Sequence, residues 1–118
     1  LIHIDPYYND TAQFLGGKWL APKPTSSPAL AMAIANVWMN EDLYDKDFVE
    51  NRTTGFDKWK AYIMGDEDGI AKTPEWAEPE TDLKAKDIRA LARKWGNRKV
   101  YLAAGGWGNG HGAKINDL

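Results

Sequence analysis

The sequence predicts an α/β fold built on an open parallel sheet with helices packed around it. Three observations predict it. Leu1-Ile2-His3-Ile4-Asp5 reads as a strand that stops at Pro6, and Lys99-Val100-Tyr101-Leu102-Ala103-Ala104 reads as a second one. Between them lie several stretches with apolar residues at helical spacing, and strands separated by helices imply a parallel sheet. Each strand also runs straight into a polar or glycine-rich turn, Tyr7-Tyr8-Asn9-Asp10-Thr11 after the first and Gly105 to Gly112 after the second. In open α/β sheets the ligand lies at the carboxyl ends of the strands. The expectation is therefore a Rossmann-like, nucleotide-type binding domain.

The elements follow in order. After the first strand and its turn, Gly16 to Ala21 reads as a short extended segment, and Pro22-Lys23-Pro24 keeps the backbone out of helix. Thr25-Ser26-Ser27 supplies cap residues and Pro28 suits the first helical position. Leu30, Ile34, Val37 and Trp38, with Ala31 and Ala35 allowing close approach, carry that helix to about Asn40. Asp45 caps a short helix bearing Phe48 and Val49 that ends near Asn51. Phe56, Trp59, Tyr62 and Ile63 form one face of a third helix closed by Gly65. Asp66-Glu67-Asp68-Gly69 reads as a solvated turn, because a calcium loop needs further oxygen ligands and a terminal glutamate. Thr73-Pro74-Glu75 starts a helix that Pro79 keeps short. Ile88, Leu91, Ala92 and Trp95 then form the apolar face of the clearest helix, ended by Gly96, and that face is expected to be buried against the sheet.

Composition bounds what such a chain can be. Its 118 residues, 43% of them apolar and 12% aromatic, suffice for one domain with a core, residues 1–118. A net charge of −2 from 15 basic and 17 acidic residues gives no basic field, so no nucleic-acid partner is expected. Without cysteine there is no disulfide framework, thiolate metal site or cysteine nucleophile. The longest apolar run, Ala29 to Ala35, is far short of the roughly 20 residues that span a bilayer, so no membrane insertion is expected. The chain opens on a strand without an initiator methionine or leader, and two strands leave the sheet edges open. A piece of a larger protein is expected.

Few residues are placed to carry chemistry. Asp5 ends a strand, where an acceptor-only carboxylate suits both ribose hydroxyls of a nucleotide; it equally suits a turn aspartate bonding its own backbone. Gly105 to Gly112 holds five glycines, which let backbone amides approach a phosphate or pterin closely. It reads equally well as a flexible loop or frayed end. Trp107 is placed to stack and His111 to donate to an anion. His3 reads as a packed or edge residue, and neither histidine has partners at metal-ligand spacing, so no metal site is expected. No G-x-S-x-G elbow is present, and Ser26 and Ser27 read as caps. Trp38, Trp59 and Trp95 sit on helical apolar faces and read as core.

Read together, Ile4-Asp5-Pro6, Asn9-Asp10-Thr11-Ala12, Trp19-Leu20-Ala21-Pro22-Lys23-Pro24, Ala71-Lys72-Thr73-Pro74-Glu75-Trp76-Ala77 and Gly105-Gly106-Trp107-Gly108 resemble the dimethyl sulfoxide reductase family of molybdenum and tungsten enzymes. The resemblance runs nearly end to end. It implies a domain of a much longer catalytic subunit that helps hold a molybdopterin guanine dinucleotide, one of a pair, by its nucleotide end. The cofactor-binding positions it implies are Asp5, Asn9, Thr11, Lys23, Ser27, Gly106, Trp107, Gly108, Asn109 and His111, with no catalytic residue and no metal ligand. Asp5 matches an aspartate that contacts the guanosine sugar, with Asn9 and Thr11 beside it. Where the family usually reads Gly-Thr-Asp, with the aspartate accepting from guanine, this chain has Thr25-Ser26-Ser27. It also has Asn109 and His111 where glutamine or arginine is frequent.

The implied reaction of the parent is hydroxyl transfer between polyhydroxybenzenes, with sulfoxide or N-oxide reduction, or a stand-alone nucleotide-binding module, as alternatives. The implied partners are the remaining domains of the parent large subunit and an iron–sulfur small subunit. The location would be cytoplasmic for a transhydroxylase and periplasmic for a reductase. With no metal ligand or acid–base pair of its own, the isolated chain is expected to show no turnover of phenols, sulfoxides or N-oxides. Reproducible turnover by a metal-free preparation would overturn that expectation.

Overall fold

The computed structural model describes residues 1–103. Among them the elements in order are strand β1 (Ile2–Ile4), helix α1 (Asp10–Leu15), strand β2 (Lys18–Leu20), and helices α2 (Ser27–Asn40), α3 (Lys46–Arg52), α4 (Phe56–Met64), α5 (Pro74–Thr81) and α6 (Ala85–Gly96). The fold is mixed α/β, and its sheet is parallel, but the sheet is built from a different pair than the sequence predicts. β1 pairs with β2, Ile2 beside Lys18, His3 beside Trp19 and Ile4 beside Leu20, with α1 in the crossover.

Residues 99–103, expected as the second strand, carry no strand. Their composition suits extended backbone, but β-propensity expresses fit to a pleated neighbour rather than an intrinsic backbone preference. The segment borders an apolar hollow shared with Ile2, Ile4, Leu91 and Trp95. Val100, Tyr101 and Leu102 remain largely exposed. Ala104 lies outside the described residues.

The core is organised by α2. Its residues Leu30, Ala33, Ile34 and Val37 pack with Leu20 of β2, Ala77 of α5, Leu83, and Ile88, Leu91 and Ala92 of α6. Its Met32, Ala35 and Met39 face Ile63 of α4, with Phe56, Trp59 and Tyr62 at the margin. A helix apolar on more than one face belongs in the middle of a structure. The sequence reading found the first face and missed the second, and Ala31, expected to be packed, is exposed. Asn36, buried within α2, donates from Nδ2 to the Ile63 carbonyl at 3.3 Å, so the polar side chain becomes a tie to α4.

The local signals for helix ends hold well. Asp45 accepts from the Phe48 amide and Thr73 from the Trp76 amide, capping α3 and α5. Gly65 closes α4 at φ 87°, where a Cβ would lie 2.6 Å from the Ala71 nitrogen. Gly96 differs: it is the last residue of α6, and its hydrogen leaves room for Leu43, whose Cβ would lie 2.7 Å from an added Cβ. Asp68 is committed within its own turn, accepting from the Ile70 amide at 2.9 Å and from Lys72 Nζ at 2.5 Å. Lys72 is enclosed: its side chain is 3% exposed, and its ammonium also donates to the Ile70 carbonyl at 2.6 Å and sits 4.1 Å over the Tyr62 ring. The hydrogen bond from Lys72, then that from the Ile70 amide, holds the Asp68 carboxyl below its usual range.

Helix α6 docks mainly on α2 rather than on the sheet. Trp38 Nε1 donates to the Ala92 carbonyl at 2.7 Å, and the Trp38 and Trp95 rings meet edge to face at 5.8 Å. Ile88 and Leu91 are buried, whereas Trp95 is half-buried. Trp95→Ala is therefore expected to cost about 2 kcal/mol, below the roughly 3–5 kcal/mol of a fully enclosed aromatic. Urea denaturation measures the difference, and a cost near zero would remove Trp95 from the α2–α6 contact.

Three surface carboxylates fasten helix to helix. Arg93 forks onto Glu41 with bonds of 2.8 and 2.9 Å, Arg89 Nη2 meets Glu75 at 2.6 Å, and Glu78 accepts from the Ala85 amide at 2.8 Å. The Arg93 guanidinium holds Glu41 below the usual range, Arg89 does the same for Glu75, and the Ala85 N–H, then Lys84, does so for Glu78. A depressed folded pKa gives stability that is complete above the unfolded glutamate value, about 4.3, and is lost as pH falls through the lower folded values. Urea midpoints are expected to drop below about pH 4 as these three protonate. A midpoint that rises on acidification there would contradict the assignment.

Candidate functional site

Because β1 and β2 are parallel, both carboxyl ends fall on one edge of the sheet, and the candidate residues Asp5 and Asn9 follow the end of β1 there. The Asp5 amide extends the ladder by donating to the Leu20 carbonyl at 3.1 Å, and Pro6, with no N–H, ends it. Asp5 Oδ1 then accepts from the Tyr7 amide at 2.8 Å, an aspartate turn, while Oδ2 accepts from Asn9 Nδ2 at 3.2 Å. Asn9 caps α1, its Oδ1 accepting from the Ala12 amide at 2.9 Å. Asp5 and Asn9 are thus joined directly, and each Asp5 oxygen takes one protein donor and keeps a lone pair for another. Thr11, in the first turn of α1, is exposed.

The second part of the site follows β2. The Lys23 amide donates to the Thr81 carbonyl at 2.9 Å, and its ammonium donates to the Pro79 carbonyl at 3.0 Å and pairs with Asp82 at 3.1 Å, tying the loop to the end of α5. Ser26 stands at the cap position of α2, but its hydroxyl turns back to the Lys23 carbonyl at 2.7 Å and makes no capping bond. Ser27 is the first residue of α2 and is exposed. Between them and Pro24, Thr25 adopts φ 67°, a left-handed conformation unfavourable for a β-branched residue. Gly106, Trp107, Gly108, Asn109 and His111 lie outside the described residues.

Sequence reasoning missed Trp19. In β2 Leu20 points into the core, so Trp19 points to the other face; it is 40% exposed. Its Nε1 donates to the Asp5 carbonyl at 2.8 Å, and its ring lies 5.2 Å from that of Tyr8. Three residues carry too little alternation to announce the face Trp19 takes. His3 hydrogen-bonds through Nε2 to the Gly16 carbonyl at 2.9 Å, a structural tie across the crossover. Among the described residues no group of three or more metal-ligating side chains converges, and no helix is long and apolar enough to cross a membrane.

These residues form a candidate edge-of-sheet site in a mixed α/β unit, and comparison with known proteins shows what the chain resembles. No family model matches the chain. It is 47% identical over 95% of its length to the pyrogallol hydroxytransferase large subunit of Pelobacter acidigallici, and 42% identical over 89% to the dimethyl sulfoxide/trimethylamine N-oxide reductase of Rhodobacter capsulatus. Among solved structures, acetylene hydratase from Pelobacter acetylenicus superposes on 78% of the chain with a TM-score of 0.64 and 33% identity. Over the segment it spans, the chain is similar to enzymes of the dimethyl sulfoxide reductase family of molybdopterin oxidoreductases. Its relatives are enzymes, and it spans 13% of the length of those two curated relatives and 12% of that solved chain.

The loop between β2 and α2 yields a direct test. A left-handed conformation costs an L-residue about 1–2 kcal/mol, more than the roughly 0.5–1 kcal/mol of extra chain entropy that glycine loses on folding. Thr25→Gly is therefore expected to raise stability by about 0.5–1 kcal/mol, read from the urea midpoint. A destabilised variant would show that Thr25 contributes contacts worth more than its strain.

Proposed function

We propose that this chain is the part of a molybdenum enzyme's large subunit that holds a molybdopterin guanine dinucleotide by its nucleotide end. The observation that carries the reading is the Asp5 carboxylate, with acceptor capacity left, at the carboxyl end of β1 beside the end of β2. The described residues fit that group. Asp5 would accept from the ribose hydroxyls, Asn9 and the α1 cap fix the turn that presents it, and Thr11 and Ser27 offer hydroxyls to the polar rim. Lys23, whose ammonium already engages the Pro79 carbonyl and Asp82, keeps a third N–H to offer an anion. Gly106, Trp107, Gly108, Asn109 and His111 would complete the site.

When bound, the cofactor supplies the redox chemistry, and this chain's residues bind and orient it. The 47% identity to a pyrogallol hydroxytransferase supports hydroxyl transfer between polyhydroxybenzenes, pyrogallol to phloroglucinol, as the parent reaction. The 42% identity to a sulfoxide and N-oxide reductase supports the second reading, oxygen-atom removal from such substrates. The partners would be the rest of the large subunit and an iron–sulfur small subunit.

Amide chemical-shift mapping with GMP and AMP tests the nucleotide site. GMP is expected to move Asp5 to Asn9 and Lys23 to Ser27 together, Asp5→Ala to abolish that shared response, and Ser27→Asp to raise the preference for GMP over AMP, since a carboxylate accepts more strongly from guanine nitrogens. Shifts confined to one region and indifferent to Asp5→Ala would refute the reading.

A further inference from the structure

Trp19 and Tyr8 form an exposed aromatic surface directly beside Asp5. Trp19 is 40% and Tyr8 53% exposed, whereas the other described tryptophans, Trp38, Trp59, Trp76 and Trp95, pack against the core clusters. The indole is not loose. Its N–H is fixed on the Asp5 carbonyl at 2.8 Å, and Tyr8 braces it at 5.2 Å with the ring planes 57° apart, an arrangement that leaves the pair unstacked. The exposed part of the indole is open surface on which a planar ligand ring can lie.

One residue therefore fixes two functions. The backbone carbonyl of Asp5 positions the aromatic platform, and its side-chain carboxylate offers acceptor sites held by Tyr7 and Asn9. A ligand that uses both must carry a flat aromatic ring joined to vicinal hydroxyl donors, which is the chemistry of a nucleoside rather than of a bare phosphate or sugar. We infer that Trp19, braced by Tyr8, is the stacking platform for the base of the nucleotide whose sugar hydroxyls Asp5 receives. The inference rests on the nucleotide reading above and adds the residue that holds the base. Preorganisation strengthens it, because a ring already fixed at its edge loses little freedom on binding.

The test compares GMP with ribose 5-phosphate, which has the sugar and phosphate but no base, on the full 118-residue chain. Base stacking on an aromatic side chain is worth about 1–3 kcal/mol, so GMP is expected to bind about 5- to 150-fold tighter than ribose 5-phosphate. GMP should shift the Trp19 indole N–H resonance, and ribose 5-phosphate should move the Asp5 and Tyr7 amides while leaving that indole in place. Trp19→Leu should remove the advantage of GMP without changing ribose 5-phosphate binding, and Trp19→Phe should retain most of it. Tyr8→Ala, at a more exposed position, should reduce it in part and serves if Trp19→Leu does not fold. Equal binding of the two ligands with the indole unmoved overturns the stacking platform but leaves the Asp5 sugar site standing. Failure of both ligands to move the Asp5 region overturns the platform and the sugar site together.

Discussion

The structure depends on one constraint: α2 has almost no face to give to water. Its leucine, isoleucine and valine positions close one cluster with β2, α5 and α6, and its methionines close another with α4. Everything else is arranged to cover it. α5 and α6 lie along the first cluster and α4 along the second, while polar ties from Asn36 to Ile63 and from Trp38 to Ala92 fix where each neighbour sits. Alanines at 29, 33 and 35 keep the helix slim enough for both sides to approach. A larger residue at any of them would force the layers apart, because interiors are packed too densely to absorb added volume.

The candidate site inherits its position from that packing. Leu20 anchors β2 in the first cluster, which sends Trp19 outward, and the parallel pairing with β1 brings Asp5 level with the end of β2. Lys23 then fastens the following loop to the end of α5. Two strands of three residues suffice to align the two halves of the edge because the helices behind them are already fixed.

How much was legible depended on the range of the interaction. Caps and stops are local, and Asp45, Thr73 and Gly65 do what their neighbours in sequence suggest. The α6 face was legible because it is amphipathic on one side only. In α2 the second face was not, since alanine and methionine fit a buried position without announcing one. The strand pairing was misread because three-residue strands carry little alternation, and a longer apolar segment at 99–104 looked more persuasive. At the site, the Asp5–Asn9 turn could be anticipated from residue type. The engagement of Lys23 with Pro79 and Asp82, and of Trp19 with Asp5, joins residues far apart in the chain and could not. Ser26 occupies its expected place, yet its hydroxyl bonds Lys23 instead of the helix because the turn through Thr25 folds it back.

The enclosure of Lys72 has a consequence for how motions of this unit can be followed. Amine-directed acylation needs a free, uncharged nitrogen in contact with solvent, and this ammonium is held by Asp68, the Ile70 carbonyl and the Tyr62 ring. Lys46 and Lys84, though paired with Asp42 and Glu78, have side chains open to solvent. Modification at Lys72 therefore records only those moments when the joint between α4 and α5 comes apart. The ratio of labelling there to labelling at Lys46 therefore follows local opening.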